Sequence, residues 1–426
     1  MRAIGRWSLA ALVVNSIVGS GIFGLPSDLA RLTGEASPWV VLLAGAAVGT
    51  VMACFAEVAS YFDQAGGPYL YTRVTFGRLL GIQTGWMFWL VRVAAPAANA
   101  NLFVTYAGEF WPRASQPIPR LLILTLLIGF LAHVNFRGVR GGAHLSDIFT
   151  IAKLVPLLLV AAAGAIYLLA HHRIEVVRVP ATTSSWLKAI LLLVFGYGGF
   201  ESALAPMDEV KDPRRDAAFA LFTALITCTL LYSVIQWVVI EVLPDPAHSG
   251  RPLADVARLV MGRGGAALIA LGALVSTYGN LSANMLAVPR ITFALAESRD
   301  FPAVFAAVHP RFRTPYVSIL VFAVLTWLLA LLGNFAWNVT LSAVARLFYY
   351  GLVCAALLVL RRRKPGHAMF RLPGGALFSL LGIGVCTVLI SQVNLSGSMI
   401  LLATVLVALF NWILVRNRRT SEMSAG

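Results

Sequence analysis

Two short runs, Gly19-Ser20-Gly21-Ile22-Phe23 and Gly196-Tyr197-Gly198-Gly199-Phe200, set the pattern G-x-G-x-F midway through apolar stretches of bilayer-crossing length. Glycine inside a helix costs about 1 kcal/mol relative to alanine, so clustered glycines predict an unwound stretch at each place. An unwound helix exposes groups that an intact one hides. The N-terminal end of the second half-helix offers free N–H groups and the positive end of the helix dipole, which suit a carboxylate. The C-terminal end of the first half offers free carbonyls, which suit an ammonium. Around the Gly19 break, the backbone N–H groups of Ser20, Gly21 and Ile22 are the candidate carboxylate donors, with the Ser20 hydroxyl assisting. The carbonyls of Ile17, Phe195, Gly196 and Gly198 are the candidate ammonium acceptors. A matched pair of glycine-broken spans marks a small-molecule site at mid-membrane depth, where irregular backbone must line a cavity or lie buried in protein. The competing reading is a small-x-small motif that serves close helix packing alone.

Other side chains in the spans carry further chemistry. Phe195, Tyr197 and Phe200 flank the second break and either occlude a ligand or pack between helices. Lys153 lies in the inner half of the fifth span, where a charge costs about 2.5–3.5 kcal/mol on insertion scales. It therefore needs a partner or a role, unless it snorkels to the interface. Glu201 directly follows the second break, either capping orphan N–H groups or serving as a gate or protonatable group. Arg92 and Arg346 are the remaining cations at depth, facing the cavity as selectivity elements or paired with a carboxylate or carbonyl. Glu57 reads as structural. With Glu201 the one acidic candidate at mid-depth, neutral or anionic ligand side chains are favoured over basic ones. The seven histidines are scattered without H-E-x-x-H spacing, so no metal is expected. No Walker lysine or Ser-His-Asp context occurs, so neither a cofactor nor an enzyme is expected.

The elements that must position these residues follow from composition. Of 426 residues, 59% are hydrophobic and 12% charged, with mean hydropathy +0.82, as in a polytopic membrane protein. Apolar runs fall at 8–31, 38–61, 80–108, 119–136, 146–170, 186–208, 216–242, 265–294, 315–333, 338–360, 374–393 and 398–415. That gives about twelve transmembrane helices, the third over-long and the first retained rather than cleaved as a signal. The segment 252–261 reads as a short amphipathic helix on the outer side. The two breaks are 177 residues apart, or five spans. Five plus five spans make a repeat whose second copy runs inverted. The expected units are 1–170, 184–362 and an appended helix pair with its tail, 372–426. The pair offers a packing or oligomer surface, leaving monomer or homodimer open. The net charge of +15 reads as topology rather than nucleic-acid binding, since no basic stretch carries interleaved aromatics. Twenty Lys and Arg fall in segments on one side and nine on the other, which predicts both termini in the cytoplasm of an inner-membrane protein. The four cysteines lie within spans and predict no disulfide.

The run Ser16–Phe23 with Pro26, then Gly66-Gly67-Pro68-Tyr69-Leu70-Tyr71 with Gly77, resembles the amino acid–polyamine–organocation superfamily. The stretch 195–202 followed by Glu209-Val210-Lys211-Asp212-Pro213-Arg214 fits as well, as do Arg290 and Arg299-Asp300-Phe301-Pro302. The resemblance covers eight spans and the loop after them. It implies an all-α fold of the leucine-transporter type, with discontinuous helices one and six. It also implies transport of amino acids or related amines, and the same substrate contacts at the two breaks. In sodium-independent members that the chain resembles, a fifth-helix lysine stands where coupled relatives hold sodium. Lys153 would then bond an unwound carbonyl of helix one, such as that of Gly19. Exchange or proton symport is the expected coupling. A channel or solute-sensing receptor on the same scaffold is the alternative.

Overall fold

In the computed structural model, residues 5–62, 66–138, 143–170, 182–204, 210 and 212–423 are described. The first apolar run folds as two helices, α1 (Arg6–Ile17) and α2 (Ser20–Thr33), because Val18 is extended and Gly19 takes φ −139° and ψ −144°. The sixth run divides in the same way into α8 (Thr183–Gly196) and α9 (Phe200–Ala203). Between these two, Gly199 sits at φ 111°, a conformation that favours glycine. The others are α3 (Ser37–Ala59), α4 (Gly67–Phe76), α5 (Arg78–Ala107), α6 (Pro117–Arg137), α7 (Ala143–Ala170) and α10 (Pro213–Val242). They continue through α11 (Pro252–Glu297), α12 (Tyr316–Leu332), α13 (Phe335–Arg363), α14 (Gly375–Ile390) and α15 (Leu395–Met423).

The described residues are helical with no strand among them. They include nine helical segments long and apolar enough to cross a membrane, one of which joins α2 to α3, and two shorter apolar helices, α12 and α14. The outward faces of α6, α14 and α15 are apolar, with Leu126, Leu377, Leu402 and Phe410 all exposed, as contact with lipid requires. One continuous buried core runs through α1, α3, α5, α8, α10 and α13. The over-long third run is the 30-residue α5, about 45 Å of helix. The short helix expected at 252–261 forms the start of α11, set off from the rest by Gly262 at φ 73°.

Charges tie the helix ends together. At one end of α5, the fully buried Asp300 accepts from Arg78 Nε at 2.8 Å and from the Tyr69 hydroxyl, with Arg73 at 3.2 Å. Burial and the Asp300 carboxylate hold the Tyr69 phenol well above its usual range, so it stays a donor. At the other end of α5, Glu109 pairs with Arg258 and lies 3.5 Å from Arg251. Glu57 accepts both arms of Arg361, at 2.7 and 2.6 Å, and the Leu372 N–H at 2.8 Å, which fits its structural reading.

Candidate functional site

The two breaks pack against each other. A Cβ on Gly21 would stand 2.9 Å from the Gly196 Cα, and one on Gly199 would stand 2.3 Å from the Ser16 carbonyl oxygen. The start of α2 therefore touches the end of α8, while the end of α1 touches the start of α9. This brings the stretch 17–22 against the stretch 195–199.

On the donor side, Ser20, Gly21 and Ile22 are buried in the first turn of α2, and no side chain caps that turn. Their N–H groups lack intrahelical partners. The Ser20 hydroxyl is buried with no hydrogen-bond partner. On the acceptor side, the Tyr232 hydroxyl stands 3.1 Å from both the Ile17 and Gly196 carbonyls. One proton serves one of those two acceptors at a time, so acceptor capacity remains. The Phe195 carbonyl accepts the Gly198 N–H at 3.1 Å and keeps a second lone pair.

Lys153 is buried, and its Nζ donates to the carbonyls of Asn15 at 2.5 Å and Val18 at 2.7 Å. The Gly19 carbonyl named from sequence is not its acceptor. Asn15 lies in the last turn of α1 and Val18 caps it, so their carbonyls lack i+4 partners and are the ones in need of a donor. The ammonium is held on the end of α1 rather than reaching toward an end of α7.

Glu201 is 1% exposed and accepts four hydrogen bonds. One comes from the Gly199 N–H at 2.9 Å, as a helix cap would; Arg346 Nε and the Tyr349 hydroxyl follow at 3.0 Å and the Tyr350 hydroxyl at 3.2 Å. Arg346 also donates to Ser342 at 2.8 Å and lies 5.6 Å from the Phe195 ring centre. Arg92 bonds the Ser202 hydroxyl, lies 3.4 Å from Asn284 Oδ1 and covers the Phe88 ring at 4.7 Å. Of the three flanking aromatics, two turn into helix packing. Tyr197 donates to the Val41 carbonyl at 3.0 Å, and Phe200 packs on Phe55 at 5.2 Å and Tyr350 at 5.4 Å. Phe195 stays beside the breaks, 6.3 Å from Phe335.

Several residues at the site were not singled out from sequence. Tyr232, Tyr349 and Tyr350 surround the breaks, and Asn99, Asn280 and Asn284 form an amide chain beside Gly19. Asn99 Nδ2 donates to Asn280 Oδ1 at 2.8 Å, and Asn284 Nδ2 to the same oxygen at 2.9 Å. Polar side chains within apolar spans were the available signal, with Asn280 and Asn284 one turn apart. Among the described residues, no group of three or more His, Cys, Asp or Glu could hold a metal ion.

The family described as amino acid permease matches residues 4–418. Over 410 residues the chain is 26% identical to the methylthioribose transporter of Bacillus subtilis (strain 168), covering 90% of this chain and 87% of that protein. It is 24% identical over 408 residues to the branched-chain amino acid permease of the same organism, covering 91% and 87%. It is also 25% identical over 374 residues to that organism's serine/threonine exchanger, covering 86% and 85%. The relatives are transporters rather than enzymes, as the motifs around the breaks implied. With a match running over nearly its whole length and apolar helices to fit, this multi-pass membrane chain belongs to the amino acid permease family of the amino acid–polyamine–organocation superfamily.

Proposed function

We propose that the protein is a secondary transporter that moves α-amino acids across the cytoplasmic membrane by alternating access, independently of sodium and coupled by exchange or by protons. The observation that carries this reading is the crossing of the two breaks, with the unpartnered Ser20 hydroxyl and open first-turn N–H groups on one side and the helix-end carbonyls on the other. Such a pair of ends complements a carboxylate and an ammonium a few ångströms apart. Ile17, Gly19, Ser20, Gly21, Ile22, Phe195, Gly196 and Gly198 form the substrate contacts, with Tyr197 and Phe200 holding the second break from behind. Lys153 and Glu201 hold the two hinges. The scaffold is a 5+5 inverted repeat, 1–170 and 184–362, with 372–426 appended, twelve crossings and both termini in the cytoplasm.

The test is uptake of radiolabelled amino acids into proteoliposomes. Uptake should saturate and be accelerated by the same amino acid inside. Decarboxylated amines and deaminated acids should compete at least about tenfold less well than the parent amino acid, since each loses a charged hydrogen-bonded group. Equal competition by either truncated analogue overturns the assignment of the helix ends.

A further inference from the structure

Two guanidinium groups stand beside the second break with one carboxylate between them. Arg346 takes that carboxylate, and Glu201 is filled by it, by two tyrosine hydroxyls and by a backbone N–H. Arg92 makes its hydrogen bonds and ring contact with neutral groups, Ser202, Asn284 and the Phe88 ring; it shares the field of Glu201 without bonding it, and its Nε is buried without a hydrogen-bond partner. The cluster thus holds one net positive charge. Arginines inside membrane spans are found paired or lining a solute path, and Arg92 makes no ion-pair contact of its own among the described residues, since Glu201 is bonded to Arg346.

Its position relative to the breaks is fixed by the amide chain. A Cβ on Gly19 would lie 4.0 Å from Asn280 Nδ2. The Asn280 Oδ1 accepts from Asn284, whose own Oδ1 faces Arg92. The links of 2.9 Å and 3.4 Å, joined across an amide of about 2.2 Å, hold the guanidinium within roughly 8.5 Å of Asn280 Oδ1. Arg92 of α5 meets Ser202 of α9 and Asn284 of α11, so these three helices converge on the guanidinium beside the breaks. A side chain of glutamate length that left the breaks toward these helices would extend toward Arg92.

We propose that Arg92 selects amino acids whose side chain ends in an anion, a carboxylate or a sulfonate, by supplying the unmatched positive charge at the far end of the substrate site. The inference rests on the amino acid reading above. Asn284 and Ser202 hold the guanidinium in place, and an incoming anion finds donors already oriented.

The test is binding of L-glutamate and of size-matched L-glutamine to the purified full chain, followed by thermal shift and intrinsic tryptophan fluorescence. The parent protein should bind L-glutamate at least about tenfold more tightly, as expected for a hydrogen bond to a charged group. Arg92→Gln should bring the ratio to about one, while Arg92→Lys keeps a preference for the acid. Equal binding of the two ligands by the parent protein overturns the role of Arg92 and leaves the amino acid reading standing. So does a variant in which both affinities fall together and the ratio holds, since that is the mark of a structural residue. Failure of every α-amino acid to bind overturns both.

Discussion

Lys153 places its ammonium 2.5 and 2.7 Å from two carbonyls at the end of α1, at the point where that helix gives way to the Gly19 break. A tie of this kind acts on the hinge and not on the ligand. Lys153→Ala leaves two buried acceptors without a donor, at roughly 1–3 kcal/mol. That is enough to move a two-state balance by roughly one to two orders of magnitude. The half-helix ends proposed to meet the zwitterion stay in place. Uptake by Lys153→Ala should therefore fall sharply, with equilibrium binding altered less. Radiolabelled uptake set against scintillation-proximity binding of the same preparation reads the difference. Transport equal to the parent protein would remove the hinge from the mechanism. The sequence shows that a lysine at this depth needs acceptors, but not which carbonyls it meets. That choice depends on how α1 is rotated about its axis, and only the folded bundle sets the rotation.

At the scale of elements, the breaks work because two pairs of half-helices come close enough for backbone to touch backbone. Gly21 against Gly196 is the tightest such contact between α2 and α8, at 2.9 Å for a Cβ that is not there. Gly21→Val places a branched side chain against main chain that cannot turn aside. Overpacking of this kind costs typically about 1–3 kcal/mol, here delivered at the donor turn itself. The variant should insert and purify at the parent's yield while losing binding by roughly tenfold or more, measured by thermal shift with saturating ligand. Binding at parental strength would mean that the two half-helices need not touch. The broken elements were legible in the sequence because glycine clustering is a local signal, as was the short helix over 252–261. The directions of Tyr197 and Phe200 were not. An unwound turn resets the helical phase, so the residues after it cannot be assigned a face by counting. Tyr232 escaped notice for a different reason: its hydroxyl bridges Ile17 and Gly196, partners 215 and 36 residues away.

Taken as a whole molecule, the bundle has ion pairs at the two ends of α5, between Glu57 and Arg361, and beside the second break, and the first break holds a fixed cation of its own. The end clusters were not readable from sequence, since Asp300 meets Arg73 and Arg78 across more than 220 residues. The proposed independence of sodium rests on the distribution of positive charge. A sodium ion bound at the end of α1 would use the carbonyls that Lys153 already occupies. Two unit charges 4 Å apart repel by about 4 kcal/mol at an effective dielectric constant of 20, close to a thousandfold in affinity. The Glu201 carboxylate offers no substitute, because four donors surround it and Arg346 neutralises it. Uptake into proteoliposomes should therefore be unchanged when external sodium is replaced by choline at constant pH and ionic strength. A steep, saturable sodium dependence would place an ion site elsewhere in the bundle and detach Lys153 from the coupling scheme. If Lys153→Ala then acquired a sodium response that the parent lacks, the ammonium would be identified as the resident counterpart of the ion.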